Sequence, residues 1–434
     1  MSSFYLLLAI LFLLASLSVP IGVSLGISTL VTLVTTTTIP TSMISQNVFS
    51  GLNSFALMAI PFFMLAGNLM ALGGIARRIV RLADVVLGRI TGGLGIVTTA
   101  ACMFFAALSG SGPATVSAIG SMMIPEMEKR GYDKGFSTGL TACAGTIGVI
   151  IPPSIPFVIY GVVASVSIGD LFIAGIIPGI LIGLFLMIVC FVISKKRGYG
   201  KVAAPLEEGE KHQGCFKVFL DTIWALLAPL IILGGIYAGV FTPTEASVVA
   251  IVYSFIIGKF VYKELTFKII LQSLRSTADL NGLTGLALGF SMAFSAYLAM
   301  KQLPRTISTF MLDTFSSQVV MFLIILGVLL ILGCFIDNIS SCLIMTPVFL
   351  PIVQSYGMDP VHFGIAMTVA LAIGFVTPPY GANLFIASAI TGERVERIAK
   401  SALPFLIAMF VALLLIMFVP QISMGLVQLM RAAR

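Results

Sequence analysis

Long apolar segments separated by short polar connections occupy most of the 434-residue chain. A membrane span needs about 20 apolar residues, so the segments leave room for about ten spans and some shorter re-entrant pieces. Two segments are interrupted by paired prolines, Pro152-Pro153 and Pro378-Pro379. Proline removes a backbone donor, and lipid holds no water to replace it, so such breaks persist only inside protein or beside a cavity. The pattern therefore predicts an all-α polytopic membrane protein with two broken helices that line a binding site.

Composition agrees with this class. Hydrophobic residues make up 59% of the chain and charged residues only 9%, which excludes an ordinary soluble domain. The net charge is +7, but the basic residues lie at the ends of apolar segments. Membrane topology explains that placement better than binding to nucleic acid does. The six cysteines form no CxxC pair, and we expect neither a disulfide nor a cysteine-bound metal.

Two pairs of short apolar segments resemble helical hairpins. In each pair the segments flank a turn of small or polar residues, at 108–115 in the first and at 333–341 in the second. Glycine and small hydroxyl residues allow the backbone to approach a ligand, and the second arm would aim its N-terminal amides at the tip. We interpret the pairs as re-entrant hairpins; for the first, two full spans are the alternative. Residues 75–90 have the pattern of an amphipathic helix at the membrane surface, with an ordinary loop as the alternative.

The chain contains an internal repeat. A shift of 226 residues superimposes the two proline pairs and places Ser111-Gly112 over Asp337-Asn338, tip over tip. Further coincidences without a gap are Pro125 with Pro351, Gly131 with Gly357, Asp133 with Asp359, Gly148 with Gly374, and Pro178 with Pro404. The sequence therefore divides into two related halves.

The halves have the same predicted order of elements. In residues 1–195 we expect scaffold spans within 4–72, a surface arm at 75–90, a hairpin at 92–127, a broken span at 136–163 and a span at 171–193. Residues 196–217 are a polar, cytoplasmic linker. In residues 218–434 we expect scaffold spans within 220–300, with a second amphipathic arm at 263–275 before the span at 280–300. A hairpin at 319–353, a broken span at 363–390 and a span at 402–419 follow.

Each half has five predicted crossings, and five is odd, so the halves must insert in opposite orientations. Basic residues favour the cytoplasmic side. With the N-terminus outside, 20 of the 24 Lys and Arg residues lie inside, and those outside are Lys301, Arg305, Arg431 and Arg434. Inverted-topology repeats whose broken helices meet near the membrane midplane are typical of secondary transporters.

Several motifs point to one family: Leu-Ser-Gly-Ser-Gly-Pro-Ala-Thr at 108–115, Lys-Arg-Gly-Tyr at 129–132, the segment 148–161 around the first proline pair, and Gly-Ile-Ile-Pro-Gly at 175–179. The segments 49–52 and 60–63 add to them. Together they resemble the large membrane subunit of tripartite ATP-independent periplasmic (TRAP) transporters. The resemblance covers essentially the whole chain.

This resemblance implies an elevator-type, sodium-driven importer in the bacterial inner membrane, with a periplasmic N-terminus. It also implies two partners: a soluble periplasmic binding protein that delivers an organic carboxylate, such as a C4-dicarboxylate or a sialic acid, and a small four-helix membrane subunit. Some members carry the small subunit on the same chain. Since the first span begins at once here, we expect it to be a separate polypeptide.

The resemblance implies sodium as the cofactor. Hydroxyls and unwound carbonyls could hold Na⁺ without several buried carboxylates. The first predicted cluster joins a hairpin tip to the first break and consists of Ser109, Ser111, Thr115, Thr146, Gly148 and Ile151. The second cluster consists of Asp337, Asn338, Ser340, Ser341, Phe375, Thr377 and Gly381. Any member could instead cap a half-helix. For Asp337, an acid between apolar segments, sodium binding and an N-cap are both possible.

The substrate anion is expected between the tips, held by half-helix N-termini and polar side chains. The candidate residues are Ser111, Gly112, Pro153, Ser154, Tyr380 and Asn383.

Three other functions fit the pattern less well. A stand-alone divalent-anion/sodium symporter would share the inverted hairpins, and a channel would share the polar tips. An intramembrane serine protease would need a base near Ser109 or Ser111. The two histidines, His212 and His362, lie in the linker and at the outer end of a span, so we do not expect an enzyme.

Overall fold

The computed structural model describes residues 2–17, 19–88, 90–199, 215–303, 317–379 and 381–432, with positions 306, 309 and 314. Throughout these residues the regular structure is helical, which confirms the predicted class. The helices of residues 2–197 are α1 Ser2–Ser16, α2 Ile21–Thr36, α3 Ser42–Leu52, α4 Ala59–Leu72, α5 Ile75–Leu87, α6 Gly93–Ser109, α7 Gly112–Lys129, α8 Lys134–Gly145, α9 Ile155–Ala164 and α10 Ile168–Arg197. Those of residues 215–432 are α11 Cys215–Tyr237, α12 Pro243–Ile256, α13 Phe267–Met300, α14 Gln318–Gly333, α15 Asn338–Ser355, α16 Pro360–Gly374, α17 Ala382–Thr391, α18 Val395–Phe418 and α19 Gln421–Ala432.

Three short helical segments adjoin these helices. Phe55–Met58 and Thr146–Val149 are 3-10 turns, and Ile257–Val261 is a π turn. The 3-10 turn at Thr146–Val149 continues α8 directly into the first proline pair. The tightening of the helix therefore begins before the prolines are reached.

Helix boundaries recur at the spacing found in the sequence. Helices α7 and α15 begin and end 226 residues apart, and α8 and α16 begin 226 residues apart. Asp133 caps α8 by accepting the Phe136 N–H, and Asp359 caps α16 by accepting the Val361 N–H. The Pro152–Pro153 and Pro378–Pro379 peptide bonds are both cis. The same local chemistry thus starts and interrupts the same helices in each half.

Seven helices in the described part are long and apolar enough to cross a membrane. Six of them coincide with predicted spans: Phe55–Leu72, Ile168–Arg197, Lys217–Tyr237, Pro243–Val261, Phe267–Met300 and Val395–Phe418. The seventh, Asn338–Ser355, is the second arm of the second predicted hairpin. The other predicted crossings are made of shorter helices, namely α1, α2 and the two broken pairs α8–α9 and α16–α17, all of which except α8 are apolar.

One boundary differs from the sequence prediction. Residues 263–275 have the pattern of a separate surface arm, but from Phe267 onward they form the first turns of α13, which runs unbroken to Met300. No proline occurs between these two residues, and Thr266 caps the helix by accepting the Ile269 N–H. Without a helix breaker, the surface segment and the span form one 34-residue helix.

The helices pack in two groups. Helices α2, α3 and α4 pack on α13, α4 also contacts α12, and α5 lies on α11. The hairpins and broken helices pack mainly on one another, and the halves meet where α8 contacts α17 and α18, and where α9 contacts α15. A separate apolar cluster, which includes Leu7, Leu25 and Phe294, joins α1 and α2 to α13 and receives Ile344 from α15.

Helix α5 is fixed at its N-terminal end by a single arginine. The Arg78 Nη1 atom donates to Glu264 Oε1 at 2.8 Å and to the Gly74 carbonyl at 3.0 Å. Its Nε atom lies 3.3 Å from Asp221 Oδ2, an ion-pair distance without a hydrogen bond, and the guanidinium lies 3.5 Å from the centre of the Tyr262 ring. The planar guanidinium fits all of these contacts at once. Arg78 therefore joins the first surface arm to two segments of the second half.

Replacing Arg78 with alanine should destabilise the folded protein by about 2 kcal/mol, because Asp221 loses its ion pair and Glu264 keeps only the 3.7 Å pair with the exposed Arg77. The Arg78 side chain is only 16% exposed. The matched control is Arg397→Ala, which removes a 68% exposed partner of Glu393 and should cost less than about 0.5 kcal/mol. Thermal midpoints of the purified proteins in detergent test this; equal midpoints would contradict the anchoring role.

Candidate functional site

The turn of the first hairpin joins α6 to α7 through Gly110 and Ser111. Gly110 has a φ of +62°, a conformation that favours glycine. The Ser109 Oγ and Thr115 Oγ1 atoms are 3.1 Å apart, and Thr115 Oγ1 donates to the Ser111 carbonyl at 2.8 Å. The Ser111 hydroxyl accepts the Ala114 N–H and caps α7. The predicted tip residues do come together, and their hydroxyls are bonded to one another and to the backbone.

This tip lies directly against the first break. An added Cβ at Gly148 would stand 2.5 Å from both the Ser111 carbonyl oxygen and Thr115 Oγ1. The Ile155 N–H donates to the Gly110 carbonyl at 3.3 Å. Only a residue without a side chain permits this approach, so Gly148 brings the backbone of the break next to the tip hydroxyls.

The first break is buried, and side chains within it form hydrogen bonds with its own backbone. Pro153 cannot donate to the Val149 carbonyl as a helix would require, and the Ser154 hydroxyl donates to that carbonyl at 2.6 Å instead. Ser154 Oγ also accepts the Phe157 N–H and so caps α9. Thr146 Oγ1 donates to the Cys143 carbonyl at 2.7 Å. The predicted contacts Ser154 and Thr146 thus act within the backbone of the break.

The second hairpin has a different tip. Asp337 caps α15 by accepting the Ser340 N–H at 3.0 Å, and its side chain is half-buried. The N-cap interpretation of Asp337 is therefore realised. A carboxylate has several acceptor positions, so one N–H bond leaves oxygen lone pairs for another ligand.

Three side-chain oxygens behind this tip are buried without a hydrogen-bond partner. They are Asn338 Oδ1, Ser341 Oγ and Thr368 Oγ1, and each residue is 1% exposed. The Asn338 amide donates through Nδ2 to the Thr368 carbonyl at 3.4 Å, which links two of the three residues. A buried polar atom without a partner is costly and in native proteins is usually matched by water or an ion. The first tip has no comparable group among its described hydroxyls.

The second break follows the second hairpin in the sequence and is more exposed than the first break. Pro378 and Pro379 are exposed, whereas Pro152 and Pro153 are buried. Pro379 cannot donate to the Phe375 carbonyl, which instead accepts the Asn383 N–H at 3.0 Å.

The other members of the second cluster are placed around this bend. Thr377 Oγ1 donates to the Ile373 carbonyl at 2.9 Å. An added Cβ at Gly381 would lie 3.2 Å from the Thr377 carbonyl oxygen. Gly374, the equivalent of Gly148, is packed against the backbone of Gly333 at the end of α14. Each hairpin is thus seated on a glycine of the break that follows it.

The second break meets the first half at two points. A Cβ added to Gly112 in the first hairpin would stand 3.2 Å from a ring carbon of Phe375 in the second break. The Asn383 side chain is completely buried and donates through Nδ2 to the Ala142 carbonyl in the first half at 3.0 Å. The predicted substrate residues Gly112 and Asn383 therefore lie at the contact between halves.

Three predicted residues remain, and the structure describes two of them. Tyr380, a predicted substrate contact, lies outside the described residues. Pro153 is buried, and its carbonyl oxygen would be 2.7 Å from a Cβ at Gly110; Ile151 is half-buried and packs on Gly179. Sequence reasoning missed Thr368, because one threonine within an apolar helix has no distinguishing pattern. It also missed the Ala142 carbonyl, since backbone acceptors have no sequence signature.

Elsewhere, a cavity of about 460 Å³ is lined by Thr36, Thr37, Thr38, Ile39 and Lys301, none of which is a predicted site residue. In the part of the chain that the structure describes, no three His, Cys, Asp or Glu side chains are grouped so that they could hold a metal ion. The oxygens at the breaks come instead from hydroxyls, an amide, one carboxylate and the backbone. That donor set suits a hard monovalent cation.

Comparison with known proteins gives a consistent family. Residues 8–422 match the family described as tripartite ATP-independent periplasmic transporter, DctM component. The isethionate TRAP transporter permease DctMQ of Oleidesulfovibrio alaskensis is 45% identical over 94% of this chain, and the chain spans only 63% of that relative. The C4-dicarboxylate TRAP large permease DctM of Rhodobacter capsulatus is 38% identical and is covered over 96% of its length. The sialic acid TRAP permease SiaT of Haemophilus influenzae is 39% identical, with 68% of its length covered.

Two solved transporter structures share the fold at low sequence identity. The crystal structure of the Alcanivorax borkumensis YdaH transporter has a TM-score of 0.61 with 14% identity, and the match covers 88% of each chain. Neisseria gonorrhoeae MtrF, described as illuminating a class of antimetabolite efflux pumps, has a TM-score of 0.59 with 12% identity over 87% of this chain and 84% of that one. These similarities concern the fold alone.

Replacing Gly148 or Gly374 with alanine should force the hairpin away from the break and destabilise the protein by about 2 kcal/mol. At Gly148 the new Cβ would meet a backbone oxygen at 2.5 Å, and at Gly374 it would meet the Gly333 backbone. Gly327→Ala in α14 is the control: it meets nothing within 4 Å and should stabilise the helix slightly. Thermal midpoints compare the three variants, and a Gly148→Ala protein as stable as Gly327→Ala would contradict the close approach.

Proposed function

The chain belongs to the DctM component family of tripartite ATP-independent periplasmic transporters, and we propose that it is the permease of a sodium-coupled importer of an organic carboxylate. Membership of the family makes it a TRAP transporter large permease. The sodium coupling, the carboxylate and the transport mechanism described below are proposals.

The observation that best supports sodium coupling is the group of unpartnered oxygens at the second hairpin. Asn338 Oδ1 and Ser341 Oγ are buried without hydrogen bonds, one turn or less from the half-buried carboxylate of Asp337. A cation would satisfy these oxygens and compensate the buried charge. The backbone carbonyls of Phe375 and Thr377 in the following break are further ligands, because a carbonyl keeps a second lone pair when one is used. The Gly381 carbonyl already accepts the N–H groups of Leu384 and Phe385 and would contribute less.

The first cluster would hold a second ion through different atoms. Its hydroxyls are already bonded within the tip, and the Ser111 carbonyl already accepts the Thr115 N–H and hydroxyl. The carbonyls of Thr146, Gly148 and Ile151 would therefore contribute more than the Ser109 and Thr115 side chains. A bound Na⁺ supplies positive charge between the tips, where it would attract a carboxylate. The half-helix N-termini of α7 and α15 would orient that anion through their amides.

For transport we propose an elevator movement. The group formed by the hairpins and broken helices would carry the site across the membrane, and the helices packed around α13 would remain as scaffold. The halves would be inserted in opposite orientations with a periplasmic N-terminus in the inner membrane. The support is the repeated helix boundaries and the two packing groups.

We further propose two partners, a small four-helix membrane subunit on a separate chain and a periplasmic binding protein. The substrate class is less constrained. Relatives at 38% and 39% identity are named for C4-dicarboxylates and sialic acid, which are carboxylates. A relative at 45% identity is named for isethionate, so a small sulfonate is the second candidate.

Asp337 can be tested in its two roles separately. Asp337→Asn keeps an N-cap oxygen but removes the charge, whereas Asp337→Ala removes both. We expect both variants to insert, Asp337→Ala to abolish sodium-driven uptake, and Asp337→Asn to raise the half-saturating sodium concentration by at least about tenfold at unchanged thermal midpoint. Asp359→Asn, the N-cap of α16, is the matched control and should transport normally. Wild-type sodium dependence in Asp337→Asn would restrict Asp337 to capping.

Transport is tested by reconstituting the permease with its small subunit in liposomes and adding candidate binding proteins outside. Uptake of labelled C4-dicarboxylate, sialic acid and isethionate is measured with an inward sodium gradient, with equal sodium, and with choline. We expect uptake of one anion only with a gradient and a binding protein. Equal uptake without a binding protein would favour a stand-alone symporter, and equal uptake in choline would rule out sodium coupling.

A further inference from the structure

We propose that Asn383 is a positioning residue that couples the two cation clusters, so that binding at the second break organises the first. The inference rests on the proposed sodium binding and extends it from two separate sites to a cooperative pair. Asn383 is a predicted substrate contact. Its side chain is 0% exposed, its Nδ2 atom donates between the two halves, and its Oδ1 atom has no hydrogen-bond partner.

The argument begins with the carbonyl that Asn383 reaches. In a continuing α-helix the Ala142 carbonyl would accept the N–H of Thr146, four residues on. Here the helix tightens into a 3-10 turn, and the Thr146 N–H is directed to Cys143 and Ala144 instead. Asn383 Nδ2 supplies a donor to the Ala142 carbonyl at 3.0 Å. The amide from the second half thus stabilises the point where the first helix leaves α geometry.

The same residue is tied to the second break through its backbone. The Asn383 N–H donates to the Phe375 carbonyl, which Pro379 leaves without its helical donor. The Phe375 ring lies beside Gly112, the first residue of α7 in the first half. The Asn383 backbone therefore holds the Phe375 carbonyl, a candidate sodium ligand of the second cluster. The Asn383 side chain holds the Ala142 carbonyl, where the first break begins.

This bridge is present only once, although the fold is repeated. The residue 226 positions before Asn383 is Phe157, which has no amide. The carbonyl equivalent to Ala142 belongs to Thr368, and it accepts from Asn338 of its own half at 3.4 Å. The second break is therefore held from within its half, and the first break is held by the other half.

Coupling follows from this asymmetry. A cation bound by the Phe375 carbonyl and the second tip would fix the position of Asn383. The Asn383 amide would then hold the Ala142 carbonyl, which lies just before the first-cluster residues Thr146, Gly148 and Ile151. Ordering one cluster would lower the cost of ordering the other, which is positive cooperativity between sites.

Binding of ²²Na⁺ to the purified permease with its small subunit, with choline as the replacement cation, measures this coupling. We expect the wild-type isotherm to have a Hill coefficient above 1. Asn383→Ala should reduce it to about 1 and raise the half-saturating concentration about tenfold. Asn383→Leu restores most of the lost volume without the amide and should behave as Asn383→Ala does.

Asn68→Ala is the control, because the Asn68 amide also donates between helices, to Thr277 Oγ1 at 3.0 Å, but within the α4–α13 contact. It should lower the thermal midpoint and leave the isotherm unchanged. Three outcomes would overturn the coupling and leave sodium binding intact. They are a non-cooperative wild-type isotherm, cooperative binding that survives in both Asn383 variants, and cooperative binding that is lost in Asn383→Ala but kept in Asn383→Leu. No saturable ²²Na⁺ binding to the wild type would instead refute the proposed function.

Discussion

Hydrogen bonding of the backbone within an apolar medium is the constraint on which this structure depends. Each proline pair takes two donors away from a helix, and each loss has to be compensated inside the protein. The two halves use different solutions at equivalent carbonyls. The Val149 carbonyl accepts the hydroxyl of Ser154, and the Phe375 carbonyl accepts the backbone of Asn383. The breaks occur at equivalent positions in the two halves, but a different group replaces the missing hydrogen-bond donor in each half.

Close packing of the hairpins follows from the same constraint. A hairpin tip exposes amides and carbonyls, and these can be buried only if another backbone comes near enough to share them. Glycines at 148 and 374 make that approach possible. In the first half this places the Ser111 carbonyl and the Thr115 hydroxyl against the backbone of the break, and in the second half it places the end of α14 against the next break.

The two halves differ in the hydrogen bonding of their hairpin tips and in the exposure of their breaks. At the first tip the hydroxyls of Ser109 and Thr115 are paired, while at the second tip the oxygens of Asn338 and Ser341 have no partner. The first break is buried, and Pro378 and Pro379 of the second are exposed. A symmetric repeat has thus produced one closed cluster and one that retains free ligand oxygens.

The all-helical membrane class, the 226-residue repeat and the positions of both breaks follow from the sequence alone, because hydropathy, prolines and glycines act on their immediate neighbours. Capping of α7 and α15 was one of two possibilities there, and the structure shows the caps. The sequence did not determine that residues 267–300 form one helix, since surface and span differ only in polarity. Nor could it assign Asn383, whose partner is 241 residues away, or tell the paired hydroxyl of Ser109 from the unpaired one of Ser341. Those distinctions depend on which polar atoms come within about 3 Å of each other once the chain is folded, and sequence spacing does not specify this.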